Sequence, residues 1–385
     1  MSAKPLKIAM MIDAWFPVYG GGQVHVQKIA EQLIKNHNVE IDLFVRALKD
    51  DKGQKFKENN VYLDGKFRVF RIGPCTKFFN LRGRLMWLWR VVPVVLKAHR
   101  KNKYDLIHAQ AFLSAIPAKI IKFFTRLPLV YSVHGTSLFH KKRGLQARIE
   151  RRLLCRLKYD REISVAYNFR NLKNVNKNIA VIPNGVDLEL FTKIETLRPN
   201  TPFTLIFVGR LDPIKGLHHL IEALKNWDFE KAPLELKIVG SGPDKKRLQT
   251  LIKKLKLEEV ITFTGKLKKN DLISEYKSAH IFVLPSLSEG QPLTILEAGA
   301  ASLPVIATDV GDNARIIRSG QNGWLVKPGK PEELEIALQK AHKLFQEKPH
   351  KFEALGQYAF NVIKSKYTWT KTAQETYAVY QELLK

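Results

Sequence analysis

The chain has 385 residues, 45% hydrophobic and 26% charged, and carries 64 Lys and Arg against 36 Asp and Glu, a formal net charge of +28. This composition is that of a soluble globular protein and speaks against disorder, and the length predicts two domains of about 180 residues each rather than one core. Cys75 and Cys155 stand in no metal-like spacing, which excludes a disulfide framework and favours a reducing compartment.

Leu6 to Ile12 predicts a first strand. It is followed at once by Asp13 and is too short for a secretory core or a membrane span, so a cytoplasmic protein is expected. Val24 to Lys35 reads as a helix with Val24, Ile29, Leu33 and Ile34 facing inward. Between the two, Gly20, Gly21 and Gly22 either let the backbone approach a phosphate or sugar closely or form a plain flexible turn. Val39 to Val45 predicts a second strand, and residues 46–65 a polar excursion.

The positive charge is concentrated in the first half. Residues 1–180 hold 35 Lys and Arg against 12 Asp and Glu, while the rest hold 29 against 24. Between Asp64 and Asp105 there is no acid, and 11 basic residues are interleaved with Phe78, Phe79, Leu85, Met86, Trp87, Trp89, Val91 and Val92. A second basic cluster runs from Lys141 to Arg161. Such a mixture suits an anionic membrane surface, where rings reach the acyl boundary and Lys and Arg meet the headgroups. A plain solvated basic surface is the main competing reading, and nucleic acid the weaker one.

Tyr104 to Ala109 and Leu129 to Val133 predict further parallel strands, ending at His108 and His134. Ligands of open α/β sheets collect at such carboxyl ends, although a lone histidine there is more often structural. Ile179 to Ile182 reads as the last strand of the first domain. The Pro183-Asn184-Gly185 that follows coincides with the change in charge, which predicts a boundary near residue 184.

Beyond it the alternation restarts. Strands are predicted at Thr204 to Val208, Leu234 to Val239, Val260 to Phe263, Ile281 to Leu284 and Val305 to Ala307, and helices at Gly216 to Leu224, Lys245 to Leu255 and Pro292 to Ala301. Repeated βα units require a parallel sheet with helices on both faces, so an α/β chain of two Rossmann-like, doubly wound domains is expected. Gly209-Arg210 and Lys215-Gly216 follow the first of these strands. A bidentate guanidinium and a point-charge ammonium offset the charge of a diphosphate together, whereas separately either is an ordinary surface cation. Gly240-x-Gly242 lacks the third glycine of a dinucleotide fingerprint, Lys245 standing in its place, which disfavours an NAD-dependent oxidoreductase.

The densest chemistry lies in residues 281–313, IFVLPSLSEGQPLTILEAGAASLPVIATDVGDN. Pro292 suits the first helical position, and the free amides of Gly290, Gln291 and Leu293 at the positive helix end suit a phosphate. Glu289 precedes that helix, and Glu297 lies five residues past Pro292, about 7.5 Å along the axis. Each carboxylate can accept both hydroxyls of a vicinal diol, so the pair suits a nucleotide sugar, with one acid for the ribose and one for the hexose. The plain alternative is a loop acid and a helix-surface acid.

This E-x7-E pair, set in PS-x-x-EG-x-P-x-x-x-x-EA, resembles the donor-site motif of the retaining glycosyltransferases of family 4, which have the two-domain GT-B fold. GGGQVHVQKIAEQL, YDLIHAQ, VHGT, IPNGVD, VGRLDPIKG, IVGSGPDKKRL and FTGKL stand in the family's order, and the resemblance covers nearly the whole chain. It implies an acceptor-binding domain of residues 1–183 completed by a terminal helix at about 367–385, and a donor-binding domain of 184–366, facing each other across a cleft. It also implies transfer of a hexosyl unit from a nucleotide sugar to a membrane-associated lipid or glycan acceptor with retention of configuration. A UDP-sugar is the commonest donor in the family and GDP-mannose the rival.

By position in these motifs, Gly21 and Gly22 meet the donor diphosphate or sugar, and Arg210 and Lys215, beside Gly209, clasp the diphosphate. Gly265 and Lys266 lie where the base is recognised, Glu289 takes sugar hydroxyls and Glu297 the ribose diol. His134 lies beside the transferred sugar, in preference to His25, His108 and His140. Retention usually suggests a carboxylate nucleophile, but the family shows no agreed one, and the departing phosphate is the usual acceptor of the proton. There is no D-x-D motif, so no metal or other cofactor is expected if Arg210, Lys215 and the helix end supply the positive field. Gln291-Pro292 replaces the Phe-Gly of many relatives and removes one amide donor. The expected place of action is the inner face of the cell membrane, with the oligomeric state open. A non-catalytic basic nucleic-acid-binding protein is the alternative from another class.

Overall fold

The computed structural model describes residues 4–18, 20–50, 52–134, 157–171, 178–192 and 202–385. His140 and most of the second basic cluster lie outside them. The chain divides into two compact units, Met1–Asn184 with Trp369–Lys385, and Gly185–Thr368.

The first unit is built on β1 (Leu6–Met11), β2 (Val39–Lys49), β3 (Lys55–Phe56), β4 (Asn60–Tyr62), β5 (Phe67–Thr76), β6 (Leu106–Gln110), β7 (Leu129–Val133), β8 (Arg161–Ser164) and β9 (Ile179–Val181). Their order is β4-β5-β2-β1-β6-β7-β8-β9, with β3 on β2. Pairing is parallel except at the β2–β3 and β4–β5 ribbons. Both faces are covered, which is why the central strands are nearly continuous apolar runs. Ile8, Met10, Leu43 and Val45 face a core closed by helices Gly21–His37 and Trp369–Leu384. Ala9, Met11 and Phe44 face the opposite core, closed by helices Leu81–Asn102 and Ala115–Thr125.

The polar excursion expected over residues 46–65 is instead a longer β2 followed by β3 and β4. The basic stretch resolves into β5 and a 22-residue helix, Leu81–Asn102. Asn80 starts that helix by accepting the Gly83 amide at 2.7 Å. Trp87, Val91 and Val95, one turn apart, bury against the sheet, so Trp87 is a core ring at 1% exposure and not the surface ring of the membrane reading. Trp89, two residues on, faces solvent.

The second unit contains β10 (Phe203–Val208), β11 (Leu234–Val239), β12 (Ile261–Gly265), β13 (Ile281–Leu284), β14 (Val305–Thr308) and β15 (Gly323–Val326). All pairs are parallel, in the order β12-β11-β10-β13-β14-β15. From β10 the chain first winds outward to β12, then returns to the other side of β10 at β13. That reversal makes the carboxyl ends of β10 and β13 the switch point, where the following loops part and leave room for a ligand. No helix among the described residues is long and apolar enough to cross a membrane.

Candidate functional site

Three loops meet at the switch point of the second unit. After β10 the chain runs through Gly209 and Arg210 into a 3-10 turn, Pro213–Lys215, where the Asp212 carboxylate accepts the Ile214 amide at 3.2 Å. Gly216 then takes a left-handed φ of +64°, and a Cβ there would lie 2.1 Å from the Pro285 carbonyl oxygen. Only glycine allows so close an approach. The loop after β13 is bonded to this turn, the Leu287 amide donating to the Ile214 carbonyl at 2.8 Å. From the β14 side, Thr308 Oγ1 donates to the Ser286 carbonyl at 2.5 Å and the Asp312 amide to the Gly290 carbonyl at 2.9 Å.

These contacts fix Glu289. Its Oε1 accepts both Lys215 Nζ and Ser286 Oγ, each at 2.6 Å, and the side chain is 11% exposed. The acid assigned to the sugar and the cation assigned to the diphosphate are therefore one ion pair. Arg210 is exposed, with Nε 4.0 Å from Asp212. Sequence reasoning missed Ser286, although it stands inside the PS-x-x-EG block, because nothing in the pattern says which hydroxyl meets the acid.

The helix begins at Leu293, one residue later than expected. Pro292 is its N-cap, with φ −74° and ψ 123°, so its backbone is extended rather than helical. The correction follows from geometry, since a proline with extended ψ can precede a helix as easily as start it. Leu293 is thereby the first amide donor of the helix end, while Gln291 and Pro292 are buried. One turn in, Glu297 accepts the Tyr276 hydroxyl at 2.8 Å. Burial pushes Glu297 up to about 7, opposed by that hydrogen bond. Glu297 is thus held by a neighbouring ring and is not the free helix-surface acid of the plain alternative. Tyr276, fully buried on helix Lys269–Ser278, is a second residue the sequence did not single out.

Gly265 ends β12 with φ +76° and open space where a Cβ would stand, and its carbonyl accepts the Gly240 amide at 2.8 Å. Lys266 beside it is exposed. Gly240 and Gly242 are there for packing: Cβ atoms would lie 1.9 Å from the Gly209 carbonyl and 2.1 Å from that of Leu211.

The first unit has a different cluster at the ends of β6 and β7. His134 Nε2 donates to Gln110 Oε1 at 2.6 Å, since a carbonyl oxygen can only accept, which leaves Nδ1 without the proton. Its ring meets that of His25 edge-on at 4.4 Å. His25 Nδ1 in turn donates to Asn184 Oδ1 at 2.8 Å, and Trp369 packs against it. Burial first, and the neighbouring His25 and His108 second, hold His134 well below the usual imidazole value. Burial brings His25 down to about 4 and His108 to about 3. His108 is spanned by Tyr380 Oη at 2.6 Å and Ser132 Oγ at 2.7 Å, a core bridge rather than a ligand group. Gly21 and Gly22 lie in the first turn of helix Gly21–His37, not in a loop, and a Cβ on Gly22 would come 3.8 Å from the His134 ring. The structure thus brings Gly22 and His134 together, and separately Lys215, Glu289 and Gly290.

Comparison with known proteins covers both units. Residues 19–190 match the family model "Glycosyltransferase Family 4", and residues 191–359 match "Glycosyl transferases group 1". The chain is 29% identical, over 69% of its length and 72% of the relative's, to the UDP-Gal:alpha-D-GlcNAc-diphosphoundecaprenol alpha-1,3-galactosyltransferase of Escherichia coli. Among solved structures, sucrose-phosphate synthase of Thermosynechococcus elongatus superposes with a TM-score of 0.83 at 22% identity, over 98% of this chain and 99% of that one. Anabaena HepE in complex with UDP-glucose gives 0.75 at 21% identity, over 98% and 100%.

Proposed function

The chain belongs to the family 4 glycosyltransferases and has their GT-B fold, and on that footing we propose that it moves a hexosyl unit from a UDP-sugar to a membrane-associated lipid or glycan acceptor with retention of configuration. The observation that carries this reading is the Lys215–Glu289–Ser286 knot at the switch point, beside the helix end at Leu293. A diphosphate arriving there competes for the Lys215 ammonium and leaves Glu289, still held by Ser286, to accept hydroxyls from the sugar. Arg210, exposed on the neighbouring turn, adds a bidentate fork for the phosphates. Glu297, on the same helix, accepts the ribose diol. Together with the helix end, these cations stabilise the charge that develops on the leaving diphosphate without a divalent metal.

His134 works as a neutral group in this scheme. With its pKa far below the usual value and its proton on Nε2, it offers an uncharged ring and an Nδ1 acceptor to a sugar hydroxyl and cannot serve as a cation for phosphate. No carboxylate is assigned as nucleophile, and the departing phosphate takes the acceptor proton. The acceptor is bound by the first unit, at the inner face of a cell membrane. The lipid-linked substrate in the name of the E. coli relative and the UDP-glucose bound to HepE support the choice of acceptor and donor classes.

The test is a thermal-shift panel of UDP- and GDP-sugars, followed by turnover of the stabilising donor with wild type, Lys215→Ala and Glu289→Ala. Stabilisation by a UDP-sugar and turnover lost in both variants, with folding intact, is expected. Unchanged turnover in both rejects the site, and stabilisation by GDP-mannose alone rejects the donor.

A further inference from the structure

The geometry points to a membrane-docking face on the first unit: the outer side of the helix layer made by Leu81–Asn102 and Ala115–Thr125 lies on an anionic lipid bilayer. This deepens the reading that the acceptor is membrane-borne, and rests on it for its purpose but not for its evidence.

Leu81, Leu85 and Trp89 stand four residues apart on the side of the helix opposite Trp87, Val91 and Val95. They are 68%, 51% and 73% exposed, an apolar stripe with nothing among the described residues laid over it. Met86 and Val94 on the same helix are also exposed. On the adjacent helix of the same layer, Phe123 and Phe124 are 80% and 64% exposed, their rings edge to face at 5.3 Å. A core ring does not behave this way.

The same helix carries Arg82, Arg90, Lys97, Arg100 and Lys101, exposed along it, and no acid anywhere in its length. This charge decides the occupant. A second copy of the chain would set cations against cations across a two-fold axis. Nucleic acid would satisfy the cations but leave Leu81, Leu85, Phe123 and Phe124 facing phosphates. An anionic bilayer takes both, with acyl chains at the stripe and headgroups at its basic flanks.

The experiment is flotation of the full-length protein with phosphatidylcholine vesicles, with and without phosphatidylglycerol, at low and high salt. Binding only to the phosphatidylglycerol vesicles, lost at high salt, is expected. Leu85→Ser with Trp89→Ser, both at exposed positions, should weaken that binding about ten-fold, and Arg82→Glu with Arg90→Glu by at least about as much. Unaltered melting temperatures confirm folding. Donor hydrolysis without vesicles should be unchanged in these variants, which separates docking from chemistry: a wild type that floats but turns over no UDP-sugar sinks the proposed reaction and leaves the docking face standing. Equal flotation on neutral vesicles, indifference to the Leu85/Trp89 change, salt-sensitive RNA binding without flotation, or a dimer broken by Leu85→Ser would each overturn the inference.

Discussion

The carboxyl ends of the two sheets carry polar clusters of opposite character. In the second unit Lys215, Glu289 and Arg210 are charged groups on turns joined by backbone contacts, Lys215 paired with Glu289 and the exposed Arg210 beside Asp212. In the first unit His25, His108 and His134 are neutral rings held by side-chain hydrogen bonds in a buried setting. The contrast follows what each end is proposed to meet. A diphosphate needs compensating charge that can be released from a partner, whereas a sugar needs fixed, uncharged acceptors and donors that cost little to leave in place.

The strongest way to break this contrast is to remove the charge from the charged side. Lys215→Ala should lower turnover by about 10²- to 10³-fold, the scale of losing one electrostatic contact to a developing charge. A comparable loss in His134→Gln that His134→Lys restores would instead mean that the histidine acts as a cation, against the neutral role assigned to it.

Titration sharpens the neutral side. His25 and His108 have folded pKa values of about 4 and about 3, below the 6.5 of the unfolded chain, so protons bind the unfolded state first. Their contribution to stability is present above pH 6.5 and lost as pH falls toward 4 and 3, a few kcal/mol for each. Denaturant melts between pH 7 and pH 4 should show that decline, flattened in His25→Gln.

Glu162 carries the opposite sign. It is fully buried in β8, neither carboxylate oxygen has a hydrogen-bond partner among the described residues, and burial pushes it up to about 8 from 4.5. The folded state keeps the proton longer, so stability falls as pH rises from 4.5 through 8. Glu162→Gln should therefore stabilise the protein by a few kcal/mol at pH 8.5 and hardly at all at pH 4.5. Equal melting temperatures at pH 8.5 would mean the carboxylate finds a partner.

The smallest expected effect is at Tyr276. Its hydroxyl helps keep Glu297 ionised near pH 7, so Tyr276→Phe should weaken UDP binding several-fold at pH 7 and little at pH 9, measured by calorimetry. Weakening of equal size at both would show a packing loss instead.

Much of this was written in the sequence, and the gaps have physical causes. Most of the parallel strands of both sheets, though not β8 or β15, were legible because a strand buried on both faces must be an unbroken apolar run, as in Ile281–Leu284 and Leu129–Val133. β5 was not, because Arg68 and Arg71 alternate with Phe67, Val69 and Ile72 and make a half-exposed strand look like part of a basic run. Helices Pro331–Glu347 and Pro349–Lys366 were passed over although each opens on a proline at its first turn. Trp87 and Trp89 look alike in a list of residues, and only the phase of the helix, set by Val91 and Val95, tells the core ring from the exposed one. Glu289 and Lys215 were chosen from motifs 74 residues apart, yet their contact with each other depends on loops whose course no local pattern encodes.

Helix Trp369–Leu384 seals one face of the first sheet with Ala373, Val379 and Tyr380, although it follows the whole second unit in the chain. A ribosome therefore releases the second unit complete while the first still lacks a wall. The earlier-made half must wait, partly open, for the later-made residues, and a stop codon placed after Thr368 would spoil the unit that was synthesised first.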